Sequence, residues 1–203
     1  MSSITLAPVA NAEAVGKQGA VEASRSGIWA AVFAITMTFA ALSSALFVRE
    51  GSTADWQHID LPRILNLNTV ALILSSLAFE RSRRFVRAGL PAPSDMVRRA
   101  TRWLCVTLLL GLVFFAGQLA AWHRLAAQGI FLATNPNSSF FYVLTAMHGI
   151  HLFGGLVALG YLMNCLASGR AAFRRSLFEL VAVYWHFMGV LWIYLLLIFR
   201  TRL

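Results

Sequence analysis

Charge is what this chain has least of. Only 12% of its 203 residues are charged, against 59% hydrophobic, whereas an ordinary soluble domain is about a quarter charged and about half apolar. That excludes a water-soluble globule. It also excludes intrinsic disorder, which needs low hydrophobicity and high net charge. Cysteine is scarce as well: Cys105 and Cys165 alone supply neither a disulfide scaffold nor a zinc finger. There is no Gly-rich phosphate loop, no Ser-His-Asp arrangement in a supporting context and no pair of acids at a common depth, so nothing in the sequence reads as catalytic. Nor do Pro or Gly break the apolar runs in mirrored positions, as in a transporter built from inverted repeats.

What is there in abundance is the long apolar run. A helix of about 20 residues crosses a hydrocarbon core about 30 Å thick, and five stretches of that kind occur, at residues 28–48, 61–79, 103–122, 140–166 and 177–199. The second is charge-free only from Ile64 to Phe79, which requires Arg63 to snorkel its guanidinium into the headgroups. No period-two pattern competes, and a closed barrel would need many short alternating segments. The expected fold is all-α, an integral membrane bundle of five transmembrane helices. Residues 1–27 are read as a flexible tail and residues 28–203 as one domain. The tail lacks the basic start and compact apolar core of a secretory signal, so the mature chain is expected to begin at or near Met1.

The 17 Lys and Arg residues outnumber the 8 acids, for a net charge of +9. In a soluble protein that would suggest nucleic acid. Here the basic residues crowd the ends of apolar runs, which is the orientation signal of a membrane protein, and no nucleic-acid partner is expected. Twelve of the 17 fall on one side, in the tail, in the loop from Arg81 to Arg102, and at Arg170, Arg174 and Arg175. The positive-inside rule therefore puts the N-terminus in the cytoplasm and the C-terminus outside. Trp29, Trp103 and Trp122 fall near span ends, as interfacial aromatics do, while Trp185 and Trp192 lie deeper and should pack between helices. The cysteines fall near the cytoplasmic ends of the third and fourth spans, where disulfides rarely persist, and read as small packing residues.

Ionisable groups inside a bilayer call for a partner or a function. The fourth span carries His148 and His151, and the fifth carries His186, with Glu179 two turns before it on the same helical face. From the rise per residue, His151 and His186 lie at similar depths and could meet. They could ligate a haem axially, but no Cys or Asp lies at their depth to complete a metal site. The competing reading makes them neutral groups, hydrogen-bonded to one another, to Thr145, Tyr184 or Trp185, that hold the bundle together. Glu80 closes the second span, where its charge opposes the helix macrodipole and calls for the neighbouring arginines or a partner subunit, unless it is a solvated loop charge. Gly149, Gly154, Gly155 and Gly160 offer close approach to another helix or a lipid chain.

The run His148-Gly149-Ile150-His151 followed by Gly154-Gly155, then Glu179 and Tyr184-Trp185-His186-Phe187, resembles the signature helices of subunit III of haem-copper terminal oxidases, the cytochrome c oxidase type. Asn68-Thr69, Ser75-Ser76 and Glu80 are similar to that family's pattern too, and the likeness runs from about Gly27 to Phe199. The resemblance implies a subunit without a redox centre of its own, a component of an oxidoreductase complex. Haem and copper would sit in partner subunits I and II, which carry out aerobic electron transport from cytochrome c or quinol coupled to proton pumping. The subunit itself binds membrane phospholipids and supports proton uptake and stable turnover in the inner (cytoplasmic) membrane. On this resemblance Glu80, His148, His151, Glu179, Trp185 and His186 belong to a buried polar seam or to lipid and partner contacts; none is catalytic, and none binds a cofactor or metal.

Two departures limit the transfer. Many members have seven helices, with a cleft between the first two and the rest, and this chain has only the latter five. Many also carry a carboxylate midway along the helix matching the first span, where this chain reads Ala34-Ile35-Thr36-Met37. Two alternatives stay open at this point: an accessory protein of nitric oxide reductase, and a small b-type cytochrome holding haem through His148 or His151 with His186. The face carrying Trp29, Phe33 and Phe39, or the face of the third span, should be apolar and open to a larger partner.

Overall fold

The computed structural model describes residues 7–52, 62–88, 93–168 and 171–202. Among them are five helices and no strand: α1 (Ala7–Ser52), α2 (Ile64–Ala88), α3 (Pro93–Ala127), α4 (Pro136–Ala167) and α5 (Ala171–Arg202). Each apolar run is helical, save that α2 starts at Ile64, inside the second run, and each helix overshoots its run at one end or both. The run length is fixed by bilayer thickness, whereas the helix continues until a cap or a breaker stops it. The overshoot is largest in α1, which starts at Ala7, inside the segment expected to be a flexible tail. That segment is rich in alanine, the best helix former. At α4 the start is set chemically: Asn135 caps the helix, its side chain accepting from the Ser138 amide, Ser138 returns the bond to the Asn135 amide, and Pro136 occupies the first turn.

α2, α3, α4 and α5 pack in sequence around a closed ring, α2 against both α3 and α5, and α1 lies outside against α4 and α5. The α2–α3 seam is bound by polar residues at heptad spacing. Ser75 donates to the Thr107 carbonyl at 3.0 Å, Ser82 donates to the Ala100 carbonyl at 2.9 Å, and Asn68 packs against Gly117, where an added Cβ would collide with its amide. The α2–α5 seam is antiparallel and in register end to end. Arg200 bonds Asn66 at one end, Trp192 Nε1 donates to Thr69 Oγ1 at 3.0 Å, and Arg83 and Arg87 reach Glu179 at the other.

That register decides how α2 sits. Four helices, α1, α3, α4 and α5, are long and apolar enough on length and composition to cross a membrane. α2 carries more polar residues, but from Asn66 to Arg83 it runs alongside the whole apolar stretch of α5, so it crosses with its neighbour. The chain is thus a multi-pass membrane bundle. α2 also continues past Glu80 to Ala88, so Glu80 does not terminate the helix as expected from the sequence. It stands inside the helix, where Arg83 and Arg84 follow it at i+3 and i+4 and form the ion pairs natural to that spacing.

The core is aromatic and aliphatic, with Trp185 and Trp192 wholly buried between helices as expected. The indole of Trp185 occupies a slot between two glycines on different helices: a Cβ on Gly155 would lie 3.2 Å from it, and a Cβ on Gly111 would lie 3.0 Å away. Gly160, by contrast, faces open space. Cys105 and Cys165 are free thiols, the latter buried. Trp29 and Phe33 point outward, but Phe39, expected on the same open face, is buried edge-on against the His151 ring at 6.0 Å.

Candidate functional site

The polar residues expected to form one seam separate into two places. The first lies at the arginine-rich end of the bundle, between α2 and α5. Arg83 bridges two carboxylates, with Nη2 2.7 Å from Glu80 and Nη1 3.0 Å from Glu179, while Arg87 holds the other oxygen of Glu179 at 2.7 Å. Arg84 adds a longer contact to Glu80 at 3.4 Å. His186 joins from α5, its Nε2 4.0 Å from Glu80 and its ring edge-on to Phe79. Glu80, Glu179 and His186 are therefore brought together, and the two acids share Arg83, one of the neighbouring arginines expected to compensate Glu80. The two acids lie about 100 positions apart in the chain, and only the α2–α5 register shows that they share a guanidinium.

Glu80 stands one residue beyond the expected second span. Burial pushes its carboxyl up, but the hydrogen bonds and charges of Arg83 and Arg84 pull it down further, leaving it below the ordinary carboxylate value. The cluster is a charge-neutralising clamp between α2 and α5.

The second place is the interior of α3, α4 and α5. His148 is sealed, 1% exposed, with its ring 5.9 Å from that of Phe114 and 5.3 Å from that of Trp192. Neither of its nitrogens has a hydrogen-bond partner, and the Trp185 indole nitrogen is likewise unpaired. The expected bonds among the histidines, Thr145 and Trp185 are therefore not made. Thr145 is engaged by Trp122 instead, at 3.0 Å, and Tyr184 donates to the backbone carbonyl of His151 at 2.8 Å. His151 turns its Nδ1 back onto the Met147 carbonyl of its own helix, 2.7 Å away. The seam between α4 and α5 is packed mainly by rings, with the Tyr184 hydroxyl on the His151 carbonyl as a hydrogen bond across it.

His148 and His186 also line different cavities. His148 lines a cavity of about 280 Å³ between α3 and α4 with Phe114, Gln118 and Phe153. His186 lines a different one, of about 210 Å³ between α2 and α5, with Thr69, Ser76 and Trp192. Among the described residues no three of His, Cys, Asp and Glu come together as a metal site. Arg87, Phe114 and Gly111 are not singled out by the sequence, while Arg83 is expected only as one of the arginines beside Glu80 and Thr69 only as part of the Asn68-Thr69 pair. Of these, the arginines were visible at i+3 and i+7 from Glu80, and Thr69 as a polar group inside an apolar run.

A model of the family described as cytochrome c oxidase subunit III matches residues 26–201. The chain is 30% identical over 197 residues to the cytochrome c oxidase subunit 3 of Synechocystis sp., covering 92% of this chain and 78% of that one. It is 30% identical over 175 residues to the cytochrome c oxidase subunit 3 of Thermostichus vulcanus, covering 82% of each. It is 28% identical over 172 residues to the cytochrome bo(3) ubiquinol oxidase subunit 3 of Pseudomonas aeruginosa, covering 82% of this chain and 79% of that one. The matched stretch starts at the foot of the apolar part of α1 and ends at the close of α5, so it takes in the whole bundle: the chain belongs to the cytochrome c oxidase subunit III family, and is a non-catalytic subunit that associates with the other subunits of a haem-copper oxidase.

Proposed function

We propose that the chain lies in the inner membrane with its N-terminus in the cytoplasm, beside catalytic subunit I and in a complex with subunit II. Haem and copper then belong to those partners, and this chain supports their proton uptake and lifetime and holds membrane phospholipid at its surface. The observation that carries the reading is how the ionisable groups are disposed: Glu80 and Glu179 are neutralised by arginines, and His148 is sealed by Phe114 and Trp192. A chain that spends its polar residues on holding helices together suits a scaffold. The outer face of α3 supports a large apolar partner, because Leu109, Leu112, Val113 and Leu119 are all about half exposed or more.

The test is a mild-detergent pull-down of the tagged chain from its native membrane. A reduced-minus-oxidised spectrum and oxygen uptake are taken before and after the partners are stripped. Haem and oxygen consumption should arrive with a larger subunit and leave with it. Haem retained by this chain alone would overturn the reading, and nitric oxide consumption without oxygen uptake would reassign the complex.

A further inference from the structure

A groove of about 790 Å³ lies on the outer face of the α2–α3 pair. Its walls change character along the helix axes. Leu74 and Leu77 of α2 and Val106 and Leu110 of α3 line the deeper part, while Arg81, Arg84 and Trp103 line the mouth. The lining spans seven residues of α3, from Trp103 to Leu110, and eleven of α2, from Leu74 to Phe85, about 10 Å and about 16 Å of rise. That is between about two-thirds and the whole of one leaflet of a hydrocarbon core about 30 Å thick. The groove thus has the polarity profile of half a bilayer.

The mouth carries uncompensated positive charge. Glu80 borders it but is already bound by Arg83 at 2.7 Å. Arg84 is an exposed side chain held only at 3.4 Å. Arg81 makes no ion pair among the described residues, and its one contact is a stack over the Trp103 ring at 5.3 Å. Arg98, Arg99 and Arg102 stand on the first turns of α3 at the same end. An indole laid against a guanidinium at the end of an apolar trough is the arrangement that suits the headgroup level of a membrane, where aromatic and basic side chains concentrate.

We propose that this groove is a binding site for one anionic phospholipid. Its phosphate sits between Arg81 and Arg84, and an acyl chain runs along Leu74, Leu77, Val106 and Leu110. The site rests on the phospholipid partnership proposed above and makes it specific: it names the headgroup charge, the helix pair and the end of the bundle. It requires only that the helices sit in a bilayer, and it stands whether or not a particular oxidase is the partner.

The test measures lipid phosphorus and lipid identity per chain in the complex, purified through a delipidating detergent wash and then offered anionic or zwitterionic phospholipid vesicles. The wild type should keep or regain one anionic phospholipid. A juxtamembrane charge contributes about fivefold in affinity, so Arg81→Gln with Arg84→Gln should weaken retention about thirtyfold. Val106→Trp fills the trough while leaving both arginines in place, and should abolish retention. Arg124→Gln, at the opposite end of α3, serves as the control for folding and for general charge, and should retain the lipid. Equal retention by all variants, equal retention of zwitterionic lipid, or crosslinking of a Val106→Cys chain to the catalytic subunit through the groove would each overturn the proposal. Failure of the oxidase reading would look different: lipid would stay bound to a chain that brings down no haem.

Discussion

The slot around Trp185 gives the sharpest quantitative test of the packing. Its indole is wholly buried, and a Cβ added at Gly111 would lie 2.8 Å from Leu156 Cδ2 and 3.0 Å from Trp185 Cη2. Both distances are well inside van der Waals contact, and the indole has little room to retreat, because α4 passes close on its other side, where a Cβ built on Gly155 would lie 3.2 Å from the ring. Gly111→Ala should therefore incur an overpacking cost of about 1–3 kcal/mol. Against it stands a helix-propensity gain of about 1 kcal/mol for replacing a mid-helix glycine with alanine. The net expectation is a loss of up to about 2 kcal/mol. In a Trp185→Leu background the contact with the indole is gone and the tip of the Leu156 side chain, 2.8 Å from the added Cβ, gains room to swing aside, so the same Gly111→Ala change should stabilise by up to about 1 kcal/mol. The sign reversal, a coupling of about 2 kcal/mol, is the diagnostic. It would be read from thermal or SDS-induced unfolding of the detergent-solubilised protein, with all four members of the cycle compared at one detergent concentration. A Gly111→Ala change that stabilises the wild type, or that acts identically in both backgrounds, would refute the slot.

Five further substitutions probe the polar groups. His148→Leu removes two unpaired buried nitrogens at nearly constant volume and should leave stability unchanged or up to about 1 kcal/mol higher, whereas a loss above about 2 kcal/mol would show that the imidazole has a partner. Thr69→Val and Trp192→Phe each delete one end of the 3.0 Å bond between α2 and α5. Each should cost about 1 kcal/mol, with the double variant little worse than either, and additive losses would deny the bond. Because the folded-state pKa of Glu80 is depressed, its contribution is present above the unfolded carboxyl value and is lost as pH falls through the folded one; an unfolding series from about pH 6 to pH 3 should show a shallower acid slope for Glu80→Gln. His186→Leu should reduce assembly or heat tolerance of the complex while leaving the partner's haem spectrum per assembled complex unchanged, and a diminished haem band would contradict a purely structural place for this residue.

The helices were legible in the sequence because hydropathy counts residues against bilayer thickness, and all five runs are helical. Their ends were not. Nothing in a hydropathy run says where an alanine-rich stretch such as Ala7–Ser26 stops being helical, and Glu80 looked terminal only because the apolar run ends there. The rotation of each helix about its axis was less legible still. A soluble helix announces its inward face by amphipathic period, but in α4 apolar residues cover every side, so nothing marked whether His148 or His151 would face the core. For the same reason Phe39 was placed on an open face when it is buried against His151. Polar residues inside apolar runs were the readable exception. Asn68, Ser75 and Ser82 recur every seven residues, and that period marks the side of α2 that meets α3.

α2 explains why the bundle needs its polar residues at all. In lipid there is little hydrophobic force to press one helix against another, so association relies on close packing and interhelical hydrogen bonds. Four helices are apolar enough to cross on their own account. α2 instead has a side bonded to α3 through Ser75 and Ser82 and a side bonded to α5 through Asn66, Thr69, Arg83 and Arg87. Each of these groups would be costly against lipid and is satisfied only when both neighbours are present. The same residues that make α2 a poor lone span therefore fix it between α3 and α5 in one register, because a shift of one turn would leave Glu179, Thr69 and Ser82 unpaired together. What a reading for chemistry takes as a possible active seam is, on this geometry, the device that gives a mostly apolar bundle a single arrangement. It leaves the outer face of α3 apolar for a partner and the mouth between α2 and α3 positive.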